Sequence, residues 1–368
     1  MNEDGPRDFT SRYLCDLLRK PDHLRDLLSE AVPNLVDGFV FDRMKPAPQE
    51  FLVGNSRLRK PDVLVEIPYR IGDAERSALV CVLLEHQSKA DWLIPLKTFL
   101  YAALYWEWQW RTWETMSAPK EEFALTPILP IVLYTGPRTW GSARSLRDLL
   151  GEPTAFHGFA PVWQPLFWEL ATHSTEELVN GPTAFLQALA IYKAEGAELE
   201  VASGLFATIC NRLGSLHDSS RIRWEDLLKF VLGWAQNRRP QAERQAWHEL
   251  AVQLESDEAR RREVDQMSIT IAESIFLEGE QKGRKEGRKE GRQEGRQEGK
   301  QEGKQEGRQE GALEQTKAIL LKVTSQRLGQ SNPSALETIN EISDVQRLDR
   351  MTNVMLKVGS WDELLDVK

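Results

Sequence analysis

Two apolar runs, each bounded by charge, do most to fix what this 368-residue chain can fold into. Val63-Leu64-Val65-Glu66-Ile67 is the first, entered through Arg57-Leu58-Arg59-Lys60-Pro61-Asp62. Ala78-Leu79-Val80-Cys81-Val82-Leu83-Leu84 is the second, and it stops abruptly at Glu85-His86-Gln87-Ser88-Lys89. Short β-branched runs bounded by polar residues read as strands. Pro61 cannot donate to a sheet ladder and suits a strand entrance. Side chains two apart on a strand share a face, so Glu85 and Gln87 point one way and His86 the other. If the two runs pair as an antiparallel hairpin, Asp62 comes near Glu85. Two carboxylates converging at a sheet edge can hold Mg2+, which completes its shell with water and substrate phosphate. Such an ion generates hydroxide and polarises a phosphate. Arg57, Arg59, Lys60 and Lys89 are placed to neutralise a phosphate backbone. The plainer alternative is that Asp62 and Glu85 merely terminate strands in solvent. His86 faces away from the carboxylates and is set aside as a general base.

The flanking sequence supplies the layers for such a sheet. Leu14, Leu17 and Leu18, then Leu24, Leu27 and Leu28, recur at helical spacing between residues 7 and 32, with Pro21 able to open a second helix. Asp8 reads as a helix N-terminal residue. Gly38 to Met44 suits a strand, and Phe51 to Val53 an edge strand or its return. Pro95 opens a long helix to about Glu114. Phe99, Ala103, Trp106, Trp110 and Trp113 form one stripe on it, and Tyr101, Tyr105 and Trp108 a second. A helix apolar on two sides packs between the sheet and another layer; base stacking on the rings is the alternative. Ile128–Tyr134 and Gln164–Leu170 read as further strands, giving an α/β core with a mixed sheet.

From Ser174 to about Ile275 the pattern is helical, opened by a capping box of Ser174 and Glu177. His173, His217 and His248 are isolated and read as surface or packing residues. Glycine then falls at every fourth position from 279 to 311. Each glycine costs a helix about 1 kcal/mol relative to alanine. Glu and Arg fall two or six apart in the repeat, without the spacing that supports a helix. Either a flexible spacer or a helix held against a second copy fits this pattern. After Ala312 short helices return, with Ser334 and Ser343 as candidate caps. The chain thus divides into a core at 1–173, a helical region at 174–275, the repeat at 276–311 and a small helical domain at 312–368.

Composition narrows the setting. With 41% hydrophobic and 28% charged residues, the chain reads as an ordinary globular protein. No apolar run approaches the ~18 residues of a membrane span, and the polar start carries no secretory pattern. The three cysteines lack metal or disulfide spacing, which suits a reducing cytoplasm. A net charge of −9 argues against a simple nucleic-acid binder but allows basic groups confined to one cleft.

Pro61-Asp62 followed by Glu85-x-Gln87 after an apolar strand resembles the signature of the PD-(D/E)XK nuclease superfamily, with Gln87 in the usual lysine position. The run Leu83-Leu84-Glu85-His86-Gln87-Ser88-Lys89-Ala90-Asp91 is similar to the recombination-promoting nuclease, or putative transposase, family (Rpn). Pro130-Ile131-Val132-Leu133-Tyr134-Thr135-Gly136, the Glu-Gly repeat and the helical tail resemble it too. The resemblance implies a restriction-endonuclease-like αβββαβ core and a Mg2+-dependent DNA endonuclease (Mn2+ as a substitute) that promotes recombination or transposase-like events. It implies Asp62 and Glu85 as metal ligands and Gln87 as the residue orienting water or substrate. Lys89 stands near enough to supply the charge that glutamine lacks. DNA is the expected partner, and a homodimer suits cleavage of two strands. Asp8-Phe9-Thr10-Ser11-Arg12 departs from the family's Asp-x-x-Phe-Lys, which puts a site role for Asp8 in doubt. A protein that keeps the nuclease fold but works as a partner-binding or assembly module is the second reading, favoured by the acidic charge, the tryptophan-rich helix and the repeat.

Overall fold

The computed structural model describes residues 9–48, 51–53, 57–71, 77–116, 119–331 and 333–368; Asp8 lies outside them. Two compact units result, Met1–Leu277 and Glu278–Lys368. The first opens with helices α1 (Phe9–Leu18), α2 (Pro21–Ala31) and α3 (Pro33–Val36). Strands β1 (Lys45–Pro46), β2 (Phe51–Val53), β3 (Arg57–Arg59), β4 (Val63–Arg70) and β5 (Ser77–Gln87) follow. Helix α4 (Ile94–Thr115) then leads to β6 (Ile128–Tyr134) and β7 (Leu166–Glu169). Helices α5 (Thr175–Val179), α6 (Ala184–Leu189), α7 (Leu199–Gly214), α8 (Leu216–Ser219), α9 (Arg221–Arg238) and α10 (Arg244–Gln253) complete it, with the start of α11 (Glu258–Leu328). The last elements are α12 (Pro333–Glu341), α13 (Val345–Val354) and α14 (Trp361–Leu365).

The sheet runs β1-β4-β5-β6-β7 and is mixed. β1, β4 and β5 are antiparallel, while β5, β6 and β7 are parallel. The parallel pairing of β5 with β6 requires a crossover, and α4 supplies it. Both faces are covered. Val63, Val65, Ile67, Val82, Leu84, Ile131 and Leu133 face a core shared with α1, α2 and the helices after Ser174. Leu64, Cys81 and Leu83 face the other way, against Tyr101 and Tyr105 of α4. The strand period of two sorts these sets without exception.

Several expectations change. Gly38–Met44 is not a strand: Phe39 makes an isolated bridge to Tyr69, Phe41–Arg43 is a 3-10 turn, and only Lys45–Pro46 joins the sheet. Pro46 is tolerated because β1 is an edge. Phe51–Val53 does return, onto Arg57–Arg59, but as a separate two-stranded sheet. On α4 Tyr101 and Tyr105 are buried against the sheet, and Trp106 packs beside them. Trp106 also meets Trp163 edge-on and donates to the Thr126 carbonyl at 2.9 Å. The Ser174–Glu177 capping box is formed.

A polar network fastens α2 to α9. Lys20 Nζ and His23 Nε2 lie 2.5 and 3.3 Å from the Asp226 carboxylate. Arg223 pairs with Asp26, which also accepts from the Phe185 amide at 3.1 Å. Burial pushes the Asp226 carboxyl up, but hydrogen bonds from His23 and Lys20 outweigh it and leave the value below the ordinary range. A depressed carboxylate contributes stability that is full above the unfolded value, about 4, and is lost as pH falls through the folded one. Urea stability of the wild type should therefore fall more steeply below about pH 4 than that of Asp226→Asn. Equal acid slopes would remove this contribution.

Helix α11 is continuous across the glycine repeat. Arg284 and Glu280 form an i,i+4 pair at 3.9 Å where the repeat begins. Val264, Met267 and Ile271 pack into the first unit's core and Leu320 into the second's. Apart from the adjacent residues and the helix's own backbone, no described atom lies within 4 Å of the position a Cβ would take at the repeat glycines, Gly279 through Gly311. Gly291→Ala, Gly295→Ala and Gly299→Ala should each favour the helix by about 1 kcal/mol, read as a later loss of helical circular dichroism on heating. The second unit has its own core of Leu320, Ile339, Leu348, Met351 and Leu364. Asp344, rather than Ser343, caps α13, because its carboxylate reaches the Gln346 amide; Ser334 lies inside α12, behind Pro333. Among the described residues no helix is long and apolar enough to cross a membrane.

Candidate metal centre

The β4–β5 ladder ends at Val63 opposite Leu84, and the next pair along is Asp62 and Glu85. In that last position side chains replace the ladder's carbonyls. The Asp62 amide donates to Glu85 Oε1 at 3.0 Å, and the His86 amide donates to Asp62 Oδ2 at 2.8 Å. The two carboxylates are therefore brought together and oriented by main-chain donors, on the face that carries Leu64 and Leu83. Both are withdrawn from solvent, at 0% and 3% exposure. The expectation of solvated strand ends is thereby corrected.

Gln87, half-buried, shares the face of Glu85 and lies in register with Tyr134 of β6. The Thr135 amide donates to the Gln87 carbonyl at 2.9 Å, which fixes the strand end. His86 turns to the other face, where its Nε2 lies 2.8 Å from the Thr135 hydroxyl. Its ring serves packing, while its amide serves Asp62. Lys60 and Lys89 are exposed. The side chains of Arg57 and Arg59 lie outside what the structure describes. Asp91 shapes the turn into α4, accepting from the Leu93 amide at 2.9 Å and pairing with Lys97 at 2.7 Å.

Two contributors were not visible in the sequence. Thr135 anchors both His86 and Gln87. Arg19, just past α1, donates through Nη2 to the Asp62 carbonyl at 2.6 Å. It stands 43 positions from its partner, and no local spacing announces such a contact.

The donor set fits a hard divalent cation. It offers two carboxylates with an amide side chain two residues on, whereas Cys15, Cys81 and Cys210 are buried free thiols. Among the described residues no group of three or more His, Cys, Asp or Glu side chains could hold a metal ion. Mg2+ suits two carboxylates because water and substrate phosphate complete its octahedron. Glu169 ends β7 in register with Tyr134, hence two strands from Gln87 and about 10 Å away. It is already committed to Arg144 and to the Trp140 amide at 2.6 Å.

Residues 11–189 match the family described as "Putative transposase, YhgA-like". The matched segment contains the whole sheet and both carboxylates. No curated protein and no solved structure matches the chain.

Proposed function

We propose that this chain, whose residues 11–189 match the YhgA-like putative transposase family, is a Mg2+-dependent DNA endonuclease. The observation that carries this reading is the convergence of the buried Asp62 and Glu85 carboxylates across the β4–β5 ladder end. The order of helices, three antiparallel strands, α4 and β6 supports an αβββαβ nuclease core.

Asp62 and Glu85 would hold the ion, each kept in place by a backbone amide. When bound, the ion would supply hydroxide at neutral pH and polarise the scissile phosphate. Gln87 would orient the attacking water or the substrate from the same face. It carries no charge, so Lys89, two residues on, would meet the phosphate. Lys60, Arg57 and Arg59 would neutralise the flanking backbone. We extend the proposal to a cytoplasmic homodimer promoting recombination or transposase-like events, because severing both strands needs two sites.

The test is supercoiled plasmid incubated with the purified protein in Mg2+, in Mn2+ and in EDTA. Nicking or linearisation that EDTA abolishes is the expected result. No cleavage under any metal would favour the assembly-module reading instead.

A further inference from the structure

Asp62 is held at each of its polar groups. Its amide meets Glu85, its carboxylate meets the His86 amide, and its carbonyl meets Arg19. The first two contacts lie within the hairpin. The third comes from the helical layer, and no hairpin geometry requires it.

Arg19 is built to be rigid. It follows α1, its amide bonds back to the Asp16 carbonyl at 3.3 Å, and its Nη1 pairs with the Asp16 carboxylate. The next residue, Lys20, is tied to Asp226 of α9. The corner between α1 and α2 is thus anchored on both sides of the guanidinium that reaches the sheet end. Arginine suits the task because its planar fork serves two acceptors in fixed directions, which a lysine ammonium does not.

We propose that Arg19 is a positioning residue that sets the Asp62 carboxylate for metal binding by clamping the Asp62 carbonyl to the α1–α2 corner. The metal half of this proposal rests on the reading of Asp62 as a ligand; the clamp itself does not. Pro61 leaves the chain before Asp62 without a donor of its own, and the clamp restrains the Asp62 peptide from outside the hairpin. Groups that orient a metal ligand typically change metal affinity by 10- to 100-fold.

Hydrogen exchange resolved to single amides tests the clamp without metal. In Arg19→Ala the Asp62 and His86 amides should exchange about ten-fold faster or more, while Val82 and Leu83 in the middle of β5 keep their rates. Arg19→Lys should restore part of the protection, and Asp16→Asn, which frees the far side of the fork, should lose part of it. Mn2+ affinity measured by electron paramagnetic resonance should fall about 10- to 100-fold in Arg19→Ala. Wild-type exchange rates at Asp62 and His86 in Arg19→Ala would overturn the proposal. A uniform rise across β5 would mark a merely structural arginine and overturn it too; if Arg19→Ala does not fold, Arg19→Gln decides by the same criteria. Faster exchange at both amides in a protein whose wild type binds no Mn2+ would leave the clamp standing and remove the metal reading instead.

Discussion

Replacing Asp62 or Glu85 by alanine is expected to lower Mg2+-dependent plasmid cleavage by about a thousand-fold, the scale of several kcal/mol of lost charge stabilisation. Each substitution also removes an acceptor from a buried amide. Asp62→Ala strands the His86 N–H and Glu85→Ala strands the Asp62 N–H, at a folding cost of about 1–3 kcal/mol each. Asp62→Asn and Glu85→Gln separate the two effects, because an amide oxygen still accepts while the negative charge is gone. They should fold like the wild type and cleave like the alanine variants. His86→Ala keeps the amide that holds Asp62 and loses the ring contact with Thr135. It should retain most of the activity. Cleavage that persists in Asp62→Asn and Glu85→Gln at wild-type rate would remove both residues from the site.

The largest effect on stability is expected one residue away, at Leu84. This side chain is fully buried, lies between Val63 and Ile131 in the sheet, and points into the core shared with the helices. Leu84→Ala should cost about 2–5 kcal/mol, since neighbouring strands cannot collapse onto the cavity. That is a large part of the 5–15 kcal/mol typical of a folded protein. The urea midpoint of the first unit should drop accordingly, with the slope unchanged. A shift under about 0.5 kcal/mol would mean that the site end of β5 tolerates repacking.

The meeting of Asp62 with Glu85 was legible because a strand has a period of two and a hairpin fixes its register. Residues 63 and 84 pair, so 62 and 85 must follow, on the face opposite His86. The helices at Leu14–Leu28 and the cap at Ser174 were legible for the same reason: local spacing carries them. What was not legible depends on contacts between distant segments. Both stripes of α4 carry aromatics, and only the sheet decides that Tyr105 faces it and reaches Glu66 at 2.6 Å. Gly38–Met44 has strand composition but pairs with the β4 edge only through the Phe39–Tyr69 bridge, and the paired strand there is Lys45–Pro46. The clamp from Arg19 and the anchor at Thr135 require knowing which helix and which strand end lie beside Asp62 and His86. The glycine repeat has propensities that favour neither state strongly, and the structure makes it part of α11.

Titration of Mn2+ into wild type and Asp62→Asn, followed calorimetrically in the absence of DNA, tests most directly whether the carboxylate pair is a metal centre. The wild type should bind with a saturable heat at one ion per chain, and Asp62→Asn, equally folded by circular dichroism, should lose it. Equal binding by the two proteins, or none by the wild type, would contradict the assignment of Asp62 and Glu85 as the ligands.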